Sequence, residues 1–173
     1  MHNNEHFKHL TECSPFGISI SNKDLVVEYV NPMFTRIFGY VLEDIPHKKV
    51  WFRKAYPDEN YRDEVTRTWK TDSQIARRTG RPETRTFRVR CKDGADKMIR
   101  FRAVDMGSGR QLLTYEDRTA EMAIQEALKA SERAAKRETA KLSSMIRGME
   151  EGVVFADGEN RVVEINAYFC KFV

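Results

Sequence analysis

An α+β fold is predicted: one five-stranded antiparallel sheet with its helices on a single face, followed by a long trailing helix. Three observations carry this. Two β-branched runs precede Asn31 and three follow Pro82, with helical sequence between them. In the later runs apolar and basic residues alternate, as a sheet covered on one side requires. From Arg118 to Met149 the β-branched runs cease and Ala, Glu, Lys and Arg dominate.

Phe7 and Leu10, at helical spacing within Asn4–Thr11, predict a short leading helix, placed in a flanking segment of residues 1–12. GISIS (Gly17–Ser21) and LVVEYV (Leu25–Val30) read as a hairpin turned by Asn22, Lys23 and Asp24. Asn31-Pro32 ends the second strand and starts a helix. Asn accepts a hydrogen bond from an orphan N–H, and Pro lacks the N–H that would be unsatisfied at the first helical position. Met33, Phe34, Ile37 and Phe38 fall on one face of that helix; Gly39 stops it, and VLEDI makes a further short turn. Pro57-Asp58 opens a helix running to about Arg78, with Tyr61, Val65, Trp69 and Ile75 as its buried stripe, closed by Thr79-Gly80-Arg81-Pro82. TRTFRVRC, DKMIRFRAVD and RQLLTYED follow as three strands, connected through Asp93-Gly94 and through Gly107-Ser108-Gly109. Phe87, Val89 and Cys91 alternate with Arg88 and Arg90, and Ile99, Phe101 and Ala103 with Arg100 and Arg102.

The bulk properties narrow the class. With 40% apolar and 32% charged residues, the 173-residue chain suits a modest core plus a long exposed helix. No apolar run approaches the roughly 18 residues of a membrane span, and MHNNEHFKHL lacks the apolar stretch of a signal peptide. Cys13, Cys91 and Cys170 form no CxxC pair, which fits reduced thiols and a cytoplasmic location. The net charge of +4 is uneven: residues 61–110 hold 14 Lys and Arg against 7 Asp and Glu. Arg88, Arg90, Arg100 and Arg102 would form a basic sheet face, a possible nucleic-acid surface. No aromatic residues interleave there for base stacking, so no nucleic-acid partner is expected.

Positions 124, 128, 131, 135, 138, 142, 145 and 149 make a heptad seam: Ile124, Leu128, Ser131, Ala135, Glu138, Leu142, Met145 and Met149. A single helix cannot bury such a stripe, so a homodimer through the 119–149 helix is expected. Its small, polar middle makes that contact marginal. The chain also repeats itself at an offset of 135 residues. Gly17 falls on Gly152, Ile18 on Val153, Ile20 on Phe155, Val27 on Val162, Val30 on Ile165, Asn31 on Asn166 and Phe34 on Phe169. The turn at Asn22-Lys23 becomes Asp157-Gly158.

With these motifs in order, the chain resembles the PAS sensory domains. The residues that carry the resemblance are SPFGISISNKDLVVEYVNPMFTRIFGYVLEDI, the turn CKDG at Cys91–Gly94, and LLTYEDRTAEM at Leu112–Met122. It implies a PAS domain over 13–118, a signalling helix and coiled-coil linker over 119–149, and the truncated start of a second PAS domain over 150–173. Asp117-Arg118-Thr119 resembles the family's junction between last strand and outgoing helix. The family further implies a sheet and helices around a small cavity, and dimerisation through flanking helices. Output would come from a histidine kinase, a cyclic-dinucleotide enzyme of the diguanylate cyclase type or a transcription factor elsewhere in the protein. The chain itself shows no phosphate-binding Gly-rich loop, nucleophile elbow or kinase ATP site, so it is read as a sensor and not an enzyme. In the family the outer sheet face often packs on flanking helices of a dimer, where Glu121, Glu126, Glu132 and Glu138 would meet the arginines.

The expected ligand is an unidentified small molecule or partner. Phe34, Phe38, Tyr61, Trp69, Arg85, Phe87 and Phe101 are the candidate cavity residues. Trp51 and Tyr56 belong to the same aromatic set, most of which a sheet-and-helix core needs in any case. Tyr61 and Trp69 each add a polar handle to an apolar face. Arg85 shares a strand face with Phe87 and Val89 and requires a partner, which a ligand carboxylate or solvent would supply. The flavin photo-adduct motif of some PAS domains, Asn-Cys-Arg-Phe-Leu-Gln, is absent. The helix that usually supplies a haem ligand holds no His, and His47, just upstream, reads as a surface or capping residue. His2, His6, His9 and Cys13 lie near one helical face, but an exposed, frayed terminus accounts for them and no metal site is assigned.

Overall fold

The computed structural model describes residues 9–79, 84–147 and 154–165. The chain forms two compact units, 1–122 and 123–173. In the first, five strands make one antiparallel sheet in the order β2-β1-β5-β4-β3. They are β1 (Gly17–Ser21), β2 (Val27–Val30), β3 (Thr84–Arg90), β4 (Asp96–Gly107) and β5 (Arg110–Asp117). A leading hairpin and a closing three-strand meander thus meet at the β1–β5 seam, where Gly17 pairs with Tyr115 and Ser21 with Gln111. Between β2 and β3 run α1 (Pro32–Phe38), a 3-10 turn (Leu42–Asp44), α2 (Lys48–Ala55) and α3 (Glu59–Thr79). Helix α4 (Thr119–Arg147) follows β5. Of the leading helix, residues 9–12 are described and helical; the rest lies outside the described residues.

Asn31 shows how the sequence sets this corner. Its Oδ1 accepts from Phe34 N (2.9 Å), capping α1, and from Ile18 N (2.7 Å). Its Nδ2 donates to the Thr11 and Phe16 carbonyls (2.8 and 3.0 Å). One buried amide therefore ties the leading segment, β1 and α1 together. Gly17 makes the close crossing of α1 over β1 possible: a Cβ there would sit 3.2 Å from the Phe34 Cα and 3.2 Å from the Tyr115 Cβ. At the other end of α1, Gly39 takes φ 76° and its N–H bonds the Thr35 carbonyl.

The structure corrects the reading in two places. β2 begins at Val27, not Leu25, because Leu25 adopts a left-handed φ of 64° inside the turn. Helix α2 was not foreseen as an element of its own. His47 caps it, and it buries Trp51 and Ala55. Asp58 caps α3 by accepting from Tyr61 N at 2.8 Å.

The core lies between the helices and one sheet face. Phe34, Ile37 and Phe38 from α1, Trp51 and Ala55 from α2, and Val65 from α3 pack on Val89, Ile99, Phe101, Leu113 and Tyr115. On the opposite face, cross-strand ion pairs occupy much of the basic stripe: Arg100 with Glu116 (Nε to Oε2, 2.8 Å) and Arg90 with Asp96 (2.5 Å). Glu121 meets Arg118.

In the second unit β6 (Val154–Ala156) and β7 (Val162–Ile165) pair as an antiparallel hairpin. The seam residues Ile124 and Leu142 are 69% and 54% exposed.

Candidate ligand-binding and signalling site

The six aromatic candidates lie on the helix-covered side of the sheet, in one chain of ring contacts. Phe34 and Phe38 stand 4.7 Å apart, and both reach Tyr115 (5.1 and 5.4 Å). Tyr115 meets Phe101 at 5.2 Å, and Phe101 meets Phe87 and Trp69 at 5.7 and 5.6 Å. Tyr56 joins Phe87 to Tyr61. Phe34, Phe38 and Phe101 are fully buried, while Tyr61, Trp69 and Phe87 are half-buried at the margin. Edge-to-face geometry dominates, so these rings fill the interior as packing partners.

The polar handles find partners in part. The Tyr61 hydroxyl accepts from Arg88 N at 2.9 Å, and the Arg88 guanidinium lies 5.6 Å from its ring centre. Arg85, the candidate for a ligand carboxylate, forms a bidentate pair with Asp72 (2.9 and 3.0 Å). Sequence reasoning missed Asp72, which occupies a buried position of the α3 stripe one turn beyond Trp69. An acidic residue in an apolar register was the available signal. A shallow groove of about 450 Å³ runs past Arg67, Thr71, Asp72 and Arg85. A smaller recess of about 50 Å³ is lined by Tyr56, Tyr61, Arg88, Arg90 and Asp96.

Inside, the Tyr115 hydroxyl bonds Ser19 Oγ at 2.8 Å, and burial pushes its pKa up. The hydroxyls of Ser21 and Tyr56 are buried and have no hydrogen-bond partner among the described residues. Burial, with Tyr115 and Tyr61 nearby, holds the Tyr56 phenol well above its usual range. Lys48 Nζ donates to Gln111 Oε1 at 2.5 Å, and desolvation lowers its pKa to about 8.

His47 spends both ring nitrogens on backbone, its Nε2 donating to the Asp24 carbonyl and its Nδ1 accepting from Lys49 N (each 3.0 Å). It is a helix cap. The Cys91 thiol is buried against the Ile37 carbonyl, and burial raises its pKa. Among the described residues no group of three or more His, Cys, Asp or Glu is arranged to hold a metal. His2 and His6 lie outside them. Among the described residues, too, no helix is long and apolar enough to cross a membrane.

The junction is compact. Asp117 Oδ1 accepts from the Thr119 N–H (3.0 Å) and hydroxyl (2.6 Å), an arrangement that starts α4. Thr119 Oγ1 accepts from Met98 N at 2.9 Å, and Arg118 N donates to the Met98 carbonyl at 2.8 Å. Arg118 pairs with Glu116 and Glu121. Lys97, which sequence reasoning did not single out, bonds Asp117 Oδ2 at 3.2 Å and the Ile37 carbonyl at 2.9 Å. Burial alone would raise the Asp117 pKa; the Thr119 and Lys97 bonds outweigh it and hold the carboxyl below its usual range.

Comparison with known proteins agrees with this architecture. A family model described as PAS domain matches residues 5–72. No curated protein matches the chain. The PAS domain of a protein from Colwellia psychrerythraea is 15% identical with a TM-score of 0.54, over 68% of this chain and 98% of that one. The N-terminal domain of a diguanylate cyclase with PAS/PAC sensor from Marinobacter aquaeolei is 17% identical with a TM-score of 0.50, over 62% and 98%. An RNA-binding light-oxygen-voltage receptor is 19% identical with a TM-score of 0.56, over 75% of this chain and 37% of its own. At such identities the likeness is one of fold. The first unit of this chain carries the PAS fold, and its residues 5–72 match the PAS domain family.

Proposed function

We infer that the first unit is a sensory module that binds a small ligand or partner between sheet and helices. It passes the change through Asp117–Thr119 into α4, towards an output domain of histidine-kinase or diguanylate-cyclase type elsewhere in the protein. The observation that carries the ligand reading is the pair of buried hydroxyls, Ser21 and Tyr56, without partners among the described residues. Leaving such groups unsatisfied costs about 1–3 kcal/mol each, and a ligand with matching groups recovers it. The exposed apolar residues of α4 support a homodimer through that helix. The ion pairs of Arg90, Arg100 and Arg118 speak against a nucleic-acid surface.

Mass spectrometry and an absorption spectrum of what the purified protein releases on denaturation test the first half. A defined small molecule is expected. A second reading, a ligand-free dimerisation module, draws on the ring contacts that fill the interior; an empty protein that sediments as a dimer would favour it. For the second half, Asp117→Ala should leave the fold intact and uncouple sensor from output. Normal switching of that variant in the full-length protein would overturn the junction's role.

A further inference from the structure

The edge of the sheet near α2 holds a group that the core does not need. Lys48 is the first residue of α2. Its backbone N–H bonds the Leu25 carbonyl (2.9 Å), and next to it Val26 bridges to His47, so this segment runs along the free edge of β2. From there the Lys48 side chain reaches Gln111 on β5. The ladder order is β2-β1-β5, and Ser21 of β1 pairs with Val27 on one side and Gln111 on the other. The Lys48–Gln111 bond therefore spans Ser21. Ser21 faces the same side: two residues away Ser19 bonds the core hydroxyl of Tyr115, and alternation puts residues 19 and 21 on one face. Ser21 is 1% exposed and its Oγ has no partner among the described residues.

The charge is unbalanced as well. Among the described residues no carboxylate pairs with Lys48, and the one hydrogen-bond partner of its ammonium is the neutral amide oxygen of Gln111. A largely desolvated ammonium with no counter-charge is costly, and desolvation is what pulls its pKa down to about 8. The second hairpin sharpens the point. At the offset of 135 residues Ser19 and Ser21 become Val154 and Ala156, in the same strand register. The hairpin does not require the serines.

We propose that Lys48, Ser21 and Gln111 form the seat for one carboxylate group of a small ligand. The ammonium supplies the counter-charge, the Ser21 hydroxyl donates to one oxygen, and the Gln111 amide, turned about, donates to the other. One cation and two neutral donors suit a monoanion with two oxygens; a phosphate dianion would leave charge uncompensated. The seat deepens the sensory reading and rests on it, since it names the chemistry the ligand must present.

The test uses the full chain with ¹³C-methylated lysines and acetate as probe, with chloride at equal ionic strength as control. Acetate should shift the Lys48 resonance saturably and raise its titration midpoint from about 8 towards the ordinary lysine value; chloride should do neither. Ser21→Ala should weaken acetate binding roughly 10-fold or more, the loss of one charge-assisted hydrogen bond. Because it removes an unpartnered buried hydroxyl, it should fold at least as well as the parent. Lys48→Met should abolish the acetate response in the thermal unfolding midpoint. A Lys48 signal that ignores acetate, or follows chloride equally, overturns the proposal, as does unchanged acetate affinity in Ser21→Ala. The sensory reading fails separately: it stands if denaturation releases a ligand without a carboxylate, an outcome that would sink this seat alone.

Discussion

The chain builds the same hairpin twice, in different surroundings. Ser19↔Val30, Ile20↔Tyr29 and Ser21↔Val27 in the first become Val154↔Ile165, Phe155↔Glu164 and Ala156↔Val162 in the second, with the register shift at the same place. The turns agree atom for atom. Asn22 Oδ1 accepts from the N–H of Asp24 and Val26; Asp157 Oδ1 accepts from Glu159 and Arg161. Leu25 takes φ 64° and Asn160 φ 61°. Yet every residue of β1 is buried, and the three residues of β6 are exposed. Hairpin geometry is thus written locally, in an Asx turn and a bulge, whereas burial comes from the strands and helices that the first copy has around it.

The largest effect should come from breaking what anchors the first copy. Asn31→Ala removes four hydrogen bonds and should lower the stability of the first unit by about 2–4 kcal/mol. Urea unfolding followed by tryptophan fluorescence measures this, because Trp51 and Trp69 are the chain's two tryptophans and both lie in that unit.

Next in size is a pH effect confined to the first copy. Lys48 has a native pKa near 8 against 10.5 in an unfolded chain. Below pH 8 both states are protonated and the burial penalty is complete. Between about 8 and 10.5 the native state sheds its proton first, so stability rises with pH. This contribution should amount to something on the order of 2 kcal/mol, and should vanish in Lys48→Met. Denaturant midpoints of both proteins from pH 7 to 10 decide it, and parallel curves would refute it.

Val27 and Val162 occupy equivalent places but are 8% and 63% exposed. Val27→Ala should cost about 1–2 kcal/mol, read by the same urea titration, and Val162→Ala less than about 0.5 kcal/mol, read by hydrogen exchange of the second hairpin's amides. Equal costs would mean that the second hairpin is packed in solution as firmly as the first. The smallest expected change is a gain. Leu25 holds a left-handed conformation that Asn160 adopts at lower cost, so Leu25→Asn should stabilise the first unit by about 0.5–1 kcal/mol. A melting temperature that does not rise would show that the Leu25 side chain contributes packing worth as much as the strain.

Much of this was legible in the sequence because local signals and global fold agree. Alternation gave three late strands, Asn31-Pro32 gave the start of α1, and the change of composition at Arg118 gave the start of α4. Helix α2 was hidden because it is eight residues long and carries four cations, Lys48, Lys49, Arg53 and Lys54, so its apolar face is narrow. Leu25 reads as strand because nothing in a β-branched run marks a residue that the turn forces to positive φ. The polar partners were hidden for another reason. Asp72 and Arg85 are 13 residues apart, and Lys48 and Gln111 are 63 apart. Periodicity reports which face a residue occupies and says nothing about which distant side chain it will meet there.

Lys97 has a mechanical consequence. Its single ammonium fastens the last turn of α1, through the Ile37 carbonyl, and the last residue of β5, Asp117, which bonds Thr119 at the start of the outgoing helix. Two elements some eighty residues apart in sequence are hung from one joint on β4. If the sensory reading proposed above holds, displacing the end of α1 would load the root of α4 directly, along a path a few bonds long that bypasses the aromatic interior. Leverage of this kind depends on the stiffness of one side chain rather than on how the core is repacked.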